Sequence, residues 1–253
     1  LPVQFEIGDS WTFGEGATDP VENGYAGLVY RSNVADLDCV PAEADEAVDG
    51  CRQLRRIILA RPVTDDNPGV TTDLLISQQL DPATTEIATR MGDANPSNDV
   101  QVILVSVGGN DVSRPVLGAC LGGLNDPCLA VIHERISHVD VNLDVIFGEL
   151  RQAAGPETPI VTLTYDNTIA NCDLGQIRGA KELGDLVLEG NPALGITGLN
   201  DVIRLNAANH GLAVADTFGQ LGADQWVGGQ DCLHPNDAGH AEIAAIAVAA
   251  LPG

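Results

Sequence analysis

The chain has 253 residues, a length that allows one large α/β domain, and its composition, 44% hydrophobic and 4% aromatic, is typical of a globular protein. Acidic residues outnumber basic ones by 36 to 12, which gives a net charge of −24 and argues against nucleic acids and anionic membranes as partners. No apolar run approaches the roughly 20 residues of a membrane-spanning helix. The acidic surface is compatible with life in high salt, with low pH, or with a self-repelling secreted protein.

The first half of the chain alternates predicted strands with predicted helices. We predict strands at 3–7, 54–63 and 100–107, a helix at 24–35, and a helix that begins within 71–80. The clearest strand is "VQVILVSV" at 100–107, because a continuous β-branched run is typical of a parallel strand buried on both faces. "DDNPG" at 65–69 is a strong turn signal before the second helix.

The second half continues the same alternation. An irregular excursion containing Gly and Pro follows the 100–107 strand. We then predict helices at 129–154, 181–188, 197–209 and 236–251, with strands at 158–165 and 211–218. Regular alternation of this kind predicts an α/β fold, namely a single-domain three-layer α/β/α sandwich with a mostly parallel central sheet over residues 1–253.

The six cysteines predict disulfide bonds rather than a metal site. None forms a Cys-x-x-Cys pair, and no histidine lies at a zinc-ligand spacing from them. We expect sequential pairing, as Cys39–Cys51, Cys120–Cys128 and Cys172–Cys232. Disulfides indicate a secreted, extracellular protein, because the cytosol keeps thiols reduced. Buried unpaired thiols are the alternative.

Polar motifs follow four of the predicted strands. Ser10, in "FEIGDSWTFGEG", follows the first strand, Gly69 the second, and Asn110, in "VGGNDV", the third. "DCLHPNDAGH" at 231–240 follows the last strand across a loop. Because the carboxyl ends of parallel strands share one edge of the sheet, we expect these motifs to converge there.

The spacing Asp231-x-x-His234 indicates an acid–base pair. A carboxylate three residues before the imidazole can reach Nδ1–H in a turn, which leaves Nε2 to take a proton from a serine hydroxyl. Pro235 suits the first turn of a helix, so His234 is expected just before that helix. Simple capping of the helix is the alternative role for Asp231 and His234.

Three motifs together resemble the GDSL, or SGNH, hydrolases. They are GDS at 8–10, GGND at 108–111 and D-x-x-H-P at 231–235, and the resemblance spans nearly the whole chain. It implies a flavodoxin-like sheet with Ser10 as nucleophile, His234 as general base and Asp231 as its orienting partner. It also implies an oxyanion hole built from the Ser10 and Gly69 N–H groups and the Asn110 amide, although Pro68 departs from the usual pattern beside Gly69.

The expected activity is hydrolysis of carboxylic esters by a secreted serine esterase or lipase without a metal or cofactor. The lack of a long apolar lid favours short to medium acyl chains on a small-molecule, lipid or glycan ester, and we expect a monomer. A carbohydrate acetylesterase, an acyltransferase and a non-catalytic glycan- or lipid-binding relative are alternatives. Trp11 and Trp226 either line the substrate pocket or pack in the core. Structural roles are expected for the remaining polar candidates, Asp9, Asp111, His133, His138, His210 and His240.

Overall fold

A central parallel sheet organises the fold. The computed structural model describes residues 1–32, 55–64, 69–171, 179–228 and 231–252. Within them, five parallel strands lie in the order β2-β1-β3-β4-β5: β1 (Val3–Gly8), β2 (Arg55–Ile58), β3 (Val100–Ser106), β4 (Ile160–Leu163) and β5 (Ala213–Ala215). A separate antiparallel pair consists of β6 (Trp226–Gly228) and β7 (Asp231–Pro235).

Helices cover both faces of this sheet, as predicted. They are α1 (Ser10–Phe13), α2 (Pro20–Asn23), α3 (Tyr25–Arg31), α4 (Thr72–Leu75), α5 (Asp81–Gly92), α6 (Gly109–Cys120), α7 (Asp126–Ala154), α8 (Ala180–Glu189), α9 (Leu199–His210) and α10 (Asp237–Ala250). Helix α10 packs with α3, whereas α7 packs with α5, α6 and α9. The predicted fold class is therefore confirmed.

The core lies between these layers and is built by the strongest patterns in the sequence. Every residue of β1 is buried, and in β3 only Gln101 is partly exposed, as expected for strands covered on both faces. The long helix α7 buries one apolar stripe in the core. Its members are Ile132, Ile136, Val139, Leu143, Ile146, Phe147 and Leu150.

Several elements differ from the predictions. The excursion after β3 is in fact the helix α6, which continues from the loop glycines and contains Pro115. The helix predicted to begin at 71–80 continues through a π-helical turn, Ile76–Leu80, into α5. Residues 231–235 form a short strand rather than a turn, and the predicted strands 54–63 and 211–218 shorten to β2 and β5.

One predicted disulfide is present. Cys120 at the end of α6 is bonded to Cys128 in the first turn of α7, with an S–S distance of 2.02 Å. Cys39, Cys51 and Cys172, as well as the side chain of Cys232, lie outside the described residues, so their pairing stays a prediction. In the described part of the chain, no helix is long and apolar enough to cross a membrane.

Candidate active site

Ser10 lies just after the carboxyl end of β1. The strand ends at Gly8, whose backbone conformation favours glycine. Gly8 has φ +135°, and a Cβ there would lie 2.1 Å from the carbonyl oxygen of Ser106 on β3. The side chain of Gln79, from the π-helical turn, bonds both the N–H and the C=O of Gly8, at 2.8 and 3.0 Å. These contacts fix the end of β1 two residues before Ser10, which is the first residue of α1.

Asp9 caps α1 and anchors a buried network beneath Ser10. Its carboxylate accepts hydrogen bonds from Trp11 N–H at 3.1 Å, from Ser106 Oγ at 2.8 Å and from the Tyr165 hydroxyl. Burial raises the pKa of Asp9 to about 6, although these hydrogen bonds oppose the rise. Asp9 thus has the structural role predicted for it, and Ser106 and Tyr165 join it without any sequence motif to mark them.

His234 and Asp231 lie beside Ser10 in a continuous chain of hydrogen bonds. Nε2 of His234 is 3.0 Å from Oγ of Ser10, and Nδ1 is 3.0 and 2.9 Å from the two carboxylate oxygens of Asp231. The carboxylate also accepts the backbone N–H groups of Leu233 and His234. The structure therefore brings the three side chains together in the order that the spacing predicts.

The charges of this pair stabilise one another. Burial disfavours the imidazolium, but the hydrogen bond to Asp231 and the negative charges of Glu15, Asp231 and Asp9 outweigh it, so the pKa of His234 lies above its usual value. Burial also works against the carboxylate of Asp231, but its hydrogen bonds from His234 and Leu233 hold its pKa below the usual value. Both groups favour the ion-paired state.

Asn110 and Gly69 meet at the same edge of the sheet. A Cβ on Gly69, which has φ +117°, would lie 2.5 Å from Oδ1 of Asn110, so the Asn110 amide passes directly against the Gly69 backbone. Nδ2 of Asn110 donates to Val70 O at 3.1 Å, which uses one of its two N–H groups. Asn110 and Ser10 line the same cleft.

Asp111 joins the segments that carry these two residues. It accepts the N–H of Thr72 at 2.9 Å and the Thr72 hydroxyl at 2.7 Å. Asn142 on α7 donates to the Thr72 hydroxyl and to Asp73, and Asp73 contacts His138 Nε2 at 2.9 Å. The start of α4 and the start of α6 are therefore fixed to each other and to α7.

A cleft of about 1000 Å³, including its open mouth, begins at Ser10 and His234 and runs between α6 and α8. Apolar side chains dominate its wall, among them Val112, Val116, Leu117, Ile169, Leu183, Val187 and Leu188. Arg114 also lines it. Across the described residues, no group of three or more His, Cys, Asp or Glu side chains is placed to hold a metal ion.

The two tryptophans occupy different positions. Trp11 lines the cleft, contacts Tyr165 in a tilted arrangement with 5.2 Å between ring centroids, and donates its Nε1–H to Leu233 O at 3.0 Å. Trp226 is buried behind it at 6.0 Å and is not among the cleft-lining residues. Sequence reasoning did not identify Glu15, whose carboxylate lies 3.7 Å from Nε2 of His234. Its position within the glycine-rich loop after Ser10 gives no periodic signal.

A helix-covered parallel sheet with hydrogen-bonded Ser, His and Asp side chains at its carboxyl edge is an arrangement typical of α/β serine hydrolases. The chain belongs to the GDSL-like lipase/acylhydrolase family, whose profile matches residues 7–242. The resemblance seen in the sequence motifs is thereby confirmed, and the protein is a hydrolase of that family.

Solved structures share the fold at low sequence identity. An extracellular lipase from Streptomyces rimosus is 18% identical with a TM-score of 0.61, covering 99% of this chain and 100% of that one. The lipase Lip_vut3 from a goat rumen metagenome is 16% identical with a TM-score of 0.64, covering 99% and 97%. A lipolytic G-D-S-L family protein from Veillonella parvula is 15% identical with a TM-score of 0.50, covering 98% and 97%. No curated protein matches the chain significantly.

Proposed function

We propose that the protein is a secreted serine esterase that hydrolyses carboxylic esters of short to medium acyl chains through an acyl-Ser10 intermediate. The observation that carries this proposal is the hydrogen-bonded path from Asp231 through His234 to Ser10, which ends at an apolar cleft. A serine hydroxyl is a weak nucleophile until a base takes its proton, and this path supplies the base.

In the first half-reaction, Ser10 Oγ attacks the ester carbonyl carbon while its proton passes to Nε2 of His234. Asp231 stabilises the imidazolium that results and keeps Nδ1 protonated. The imidazolium then returns the proton to the leaving alcohol oxygen as the carbon–oxygen bond breaks. The acyl group remains on Ser10.

The negative oxygen of the tetrahedral intermediate needs hydrogen-bond donors. We assign the backbone N–H groups of Ser10 and Gly69 and the second amide N–H of Asn110 to this role. Each such donor typically contributes about 3 kcal/mol to lowering the barrier. The contact between Gly69 and Asn110, and the presence of Asn110 and Ser10 in one cleft, support the assignment.

In the second half-reaction, water replaces the alcohol. His234 takes a proton from the water as its oxygen attacks the acyl carbon, and it gives that proton back to Ser10 Oγ when the acid is released. One base thus serves both half-reactions, and no cofactor enters the scheme.

The lining of the cleft supports the substrate class that we propose. Its largely apolar wall between α6 and α8 favours an acyl chain longer than acetate, and this argues for an esterase or lipase over a carbohydrate acetylesterase. The Cys120–Cys128 disulfide supports an extracellular location, and the Streptomyces rimosus neighbour is itself described as extracellular. We expect a monomer.

The substitution Ser10→Ala tests the nucleophile. It is expected to abolish ester hydrolysis and labelling by a fluorophosphonate probe while leaving the unfolding temperature nearly unchanged. Ser97→Ala is the matched control, because Ser97 is exposed before β3 and does not line the cleft, so this variant is expected to keep full activity. Turnover at the wild-type level in Ser10→Ala would contradict the mechanism, and a wild-type protein inert to the probe would favour a pure binding function.

A panel of nitrophenyl esters of rising chain length, assayed beside acetylated xylan, tests the substrate class. We expect kcat/KM to rise from acetate to medium chains and to be low on acetylated xylan. Product analysis with an added alcohol distinguishes hydrolysis from acyl transfer. A maximum at acetate, with release of acetate from xylan, would favour the acetylesterase instead.

A further inference from the structure

A second carboxylate lies beside the His234 ring, at the nitrogen opposite Asp231. Oε2 of Glu15 is 3.7 Å from Nε2, the same nitrogen that lies 3.0 Å from Ser10 Oγ. The Glu15 side chain is 25% exposed, and that of His234 is 6% exposed, so water screens their charges only partly. The imidazole ring therefore has a carboxylate near each of its nitrogen atoms.

Three parts of the chain hold Glu15 in this position. Its backbone N–H donates to Ser10 O at 2.9 Å, and its carboxylate oxygen Oε2 accepts the N–H of Val63, after β2, at 2.7 Å. Its backbone carbonyl accepts a hydrogen bond from Nε2 of His240, on α10, at 3.0 Å. A surface carboxylate without a defined position would not make these three hydrogen bonds.

His240 acts here as a neutral donor. It is fully buried, and burial lowers its pKa. Its Nδ1 accepts the N–H of Tyr25 at 3.3 Å, which places the ring proton on Nε2, facing Glu15 O. Gly16 directly follows Glu15, and a Cβ on Gly16 would lie 2.9 Å from Cβ of His234. The loop is thus packed directly against the histidine that it faces.

We propose that Glu15 is a positioning residue that stabilises the imidazolium of His234 from the Nε2 side and, together with Asp231, sets the pH range of the reaction. The expected effect of Glu15 on the reaction rate rests on the proposed function. A negative charge within about 4–6 Å favours the protonated ring. At 3.7 Å Glu15 is outside hydrogen-bond distance, so Nε2 stays free to exchange its proton with Ser10 and the leaving alcohol.

Among the described residues, three carboxylates act on the charge of the His234 ring. Asp231 contacts Nδ1, Glu15 approaches Nε2, and Asp9 acts from beneath Ser10, all three raising the pKa of His234 against the effect of burial. His240 also interacts with the ring, and it is neutral near pH 7 because burial lowers its pKa. Replacing Glu15 by glutamine removes the negative charge and leaves an oxygen that can still accept the Val63 N–H, which makes the role of Glu15 testable.

The test is Glu15→Gln in the full chain, because glutamine can still accept the Val63 N–H but carries no charge. NMR titration of the His234 ring is expected to show protonation at lower pH than in the wild type. The acid limb of kcat/KM moves in the same direction, and the plateau of kcat falls about three- to tenfold with KM unchanged. Glu149→Gln makes the same charge change at an exposed position near the end of α7. It is expected to leave the His234 titration and the kinetic parameters unchanged.

An unchanged His234 titration in Glu15→Gln would overturn the proposal, and so would a loss of kcat without a shift of that titration. The variant Glu15→Asp keeps the charge on a shorter side chain. Its His234 ring is expected to become protonated at a pH between those of the wild type and Glu15→Gln. If the wild type hydrolyses no ester, the proposed function fails. The NMR titration still decides the part played by Glu15.

Discussion

The carboxylate of Asp111 accepts two hydrogen bonds from Thr72, one from its backbone N–H at 2.9 Å and one from its hydroxyl at 2.7 Å. Asp111 directly follows Asn110, and Thr72 lies three residues after Gly69. One carboxylate therefore joins the start of α4, just after Gly69, to the start of α6, which carries Asn110, and these are two of the segments from which the proposed oxyanion hole takes its donors. Donors on separate loops are useful only if such contacts hold them in register.

We therefore expect Asp111→Asn to lower both activity and stability. The amide keeps one acceptor oxygen, so the hydrogen bond of 2.9 Å from Thr72 N–H to Oδ2 is lost and only the longer contact of 3.2 Å to Oδ1 is left for that N–H, at a cost of about 1–2 kcal/mol. The resulting displacement of the loops is expected to lower kcat about tenfold. Urea unfolding and ester kinetics measure the two effects. Asp144→Asn, at an exposed position on α7, should change neither kcat nor stability by a comparable amount.

The pH dependence of activity follows from the raised pKa of His234. The base must be neutral to accept the Ser10 proton, so kcat/KM is expected to fall as the pH drops through a pKa above 6.5, the ordinary value for histidine. The substitution Asp231→Asn removes the largest stabilising contact. This substitution should move the acid limb of the kcat/KM profile to lower pH and reduce kcat by about 10³-fold or more.

Measuring kcat/KM from pH 4 to 9 checks this expectation. His133→Gln serves as control, because His133 is exposed on α7, and its profile should match that of the wild type. A wild-type acid limb at or below the ordinary histidine value would count against the charge arrangement described for His234.

The apolar cleft predicts a change of chain-length preference in Val187→Phe. Val187, on α8, lines the cleft, so a larger side chain can extend into open space rather than into packed core. We expect the ratio of kcat/KM for octanoate over acetate to fall at least tenfold, by roughly the binding energy of one or two methylenes. Nitrophenyl ester kinetics supply the ratio. Val145→Phe, at an exposed site on α7, should leave it unchanged.

The Cys120–Cys128 disulfide is expected to stabilise the fold more than it affects catalysis. It closes a short loop, with a sequence separation of 8, between the end of α6 and the start of α7. Loop-closure entropy then gives a stabilisation of about 2–3 kcal/mol. The double variant Cys120→Ala/Cys128→Ala should lose that much free energy of unfolding while keeping kcat within about twofold. An unchanged unfolding free energy would show that the cross-link constrains nothing.

The sequence predicted the elements whose pattern is strong and local. The β-branched run of β3 and the apolar stripe of α7 appear where they were expected, because burial on both faces of a strand or on one face of a helix leaves a periodic trace. The sequence pattern does not indicate helix α6, because Gly108, Gly109 and Pro115 are typical of loops. It forms because it packs on α7 and is joined to it by the disulfide.

The short motifs of the sequence predicted Ser10, Asn110, Asp231 and His234 as the candidate site, because their spacing reflects local turns and strand ends. The distances between these side chains, and the position of Glu15 beside His234, are seen only in the three-dimensional structure. Contacts such as Glu15 with His234, or Asp111 with Thr72, join positions far apart in the chain, and no local period encodes them. They arise when parallel strands bring their carboxyl ends to one edge of the sheet.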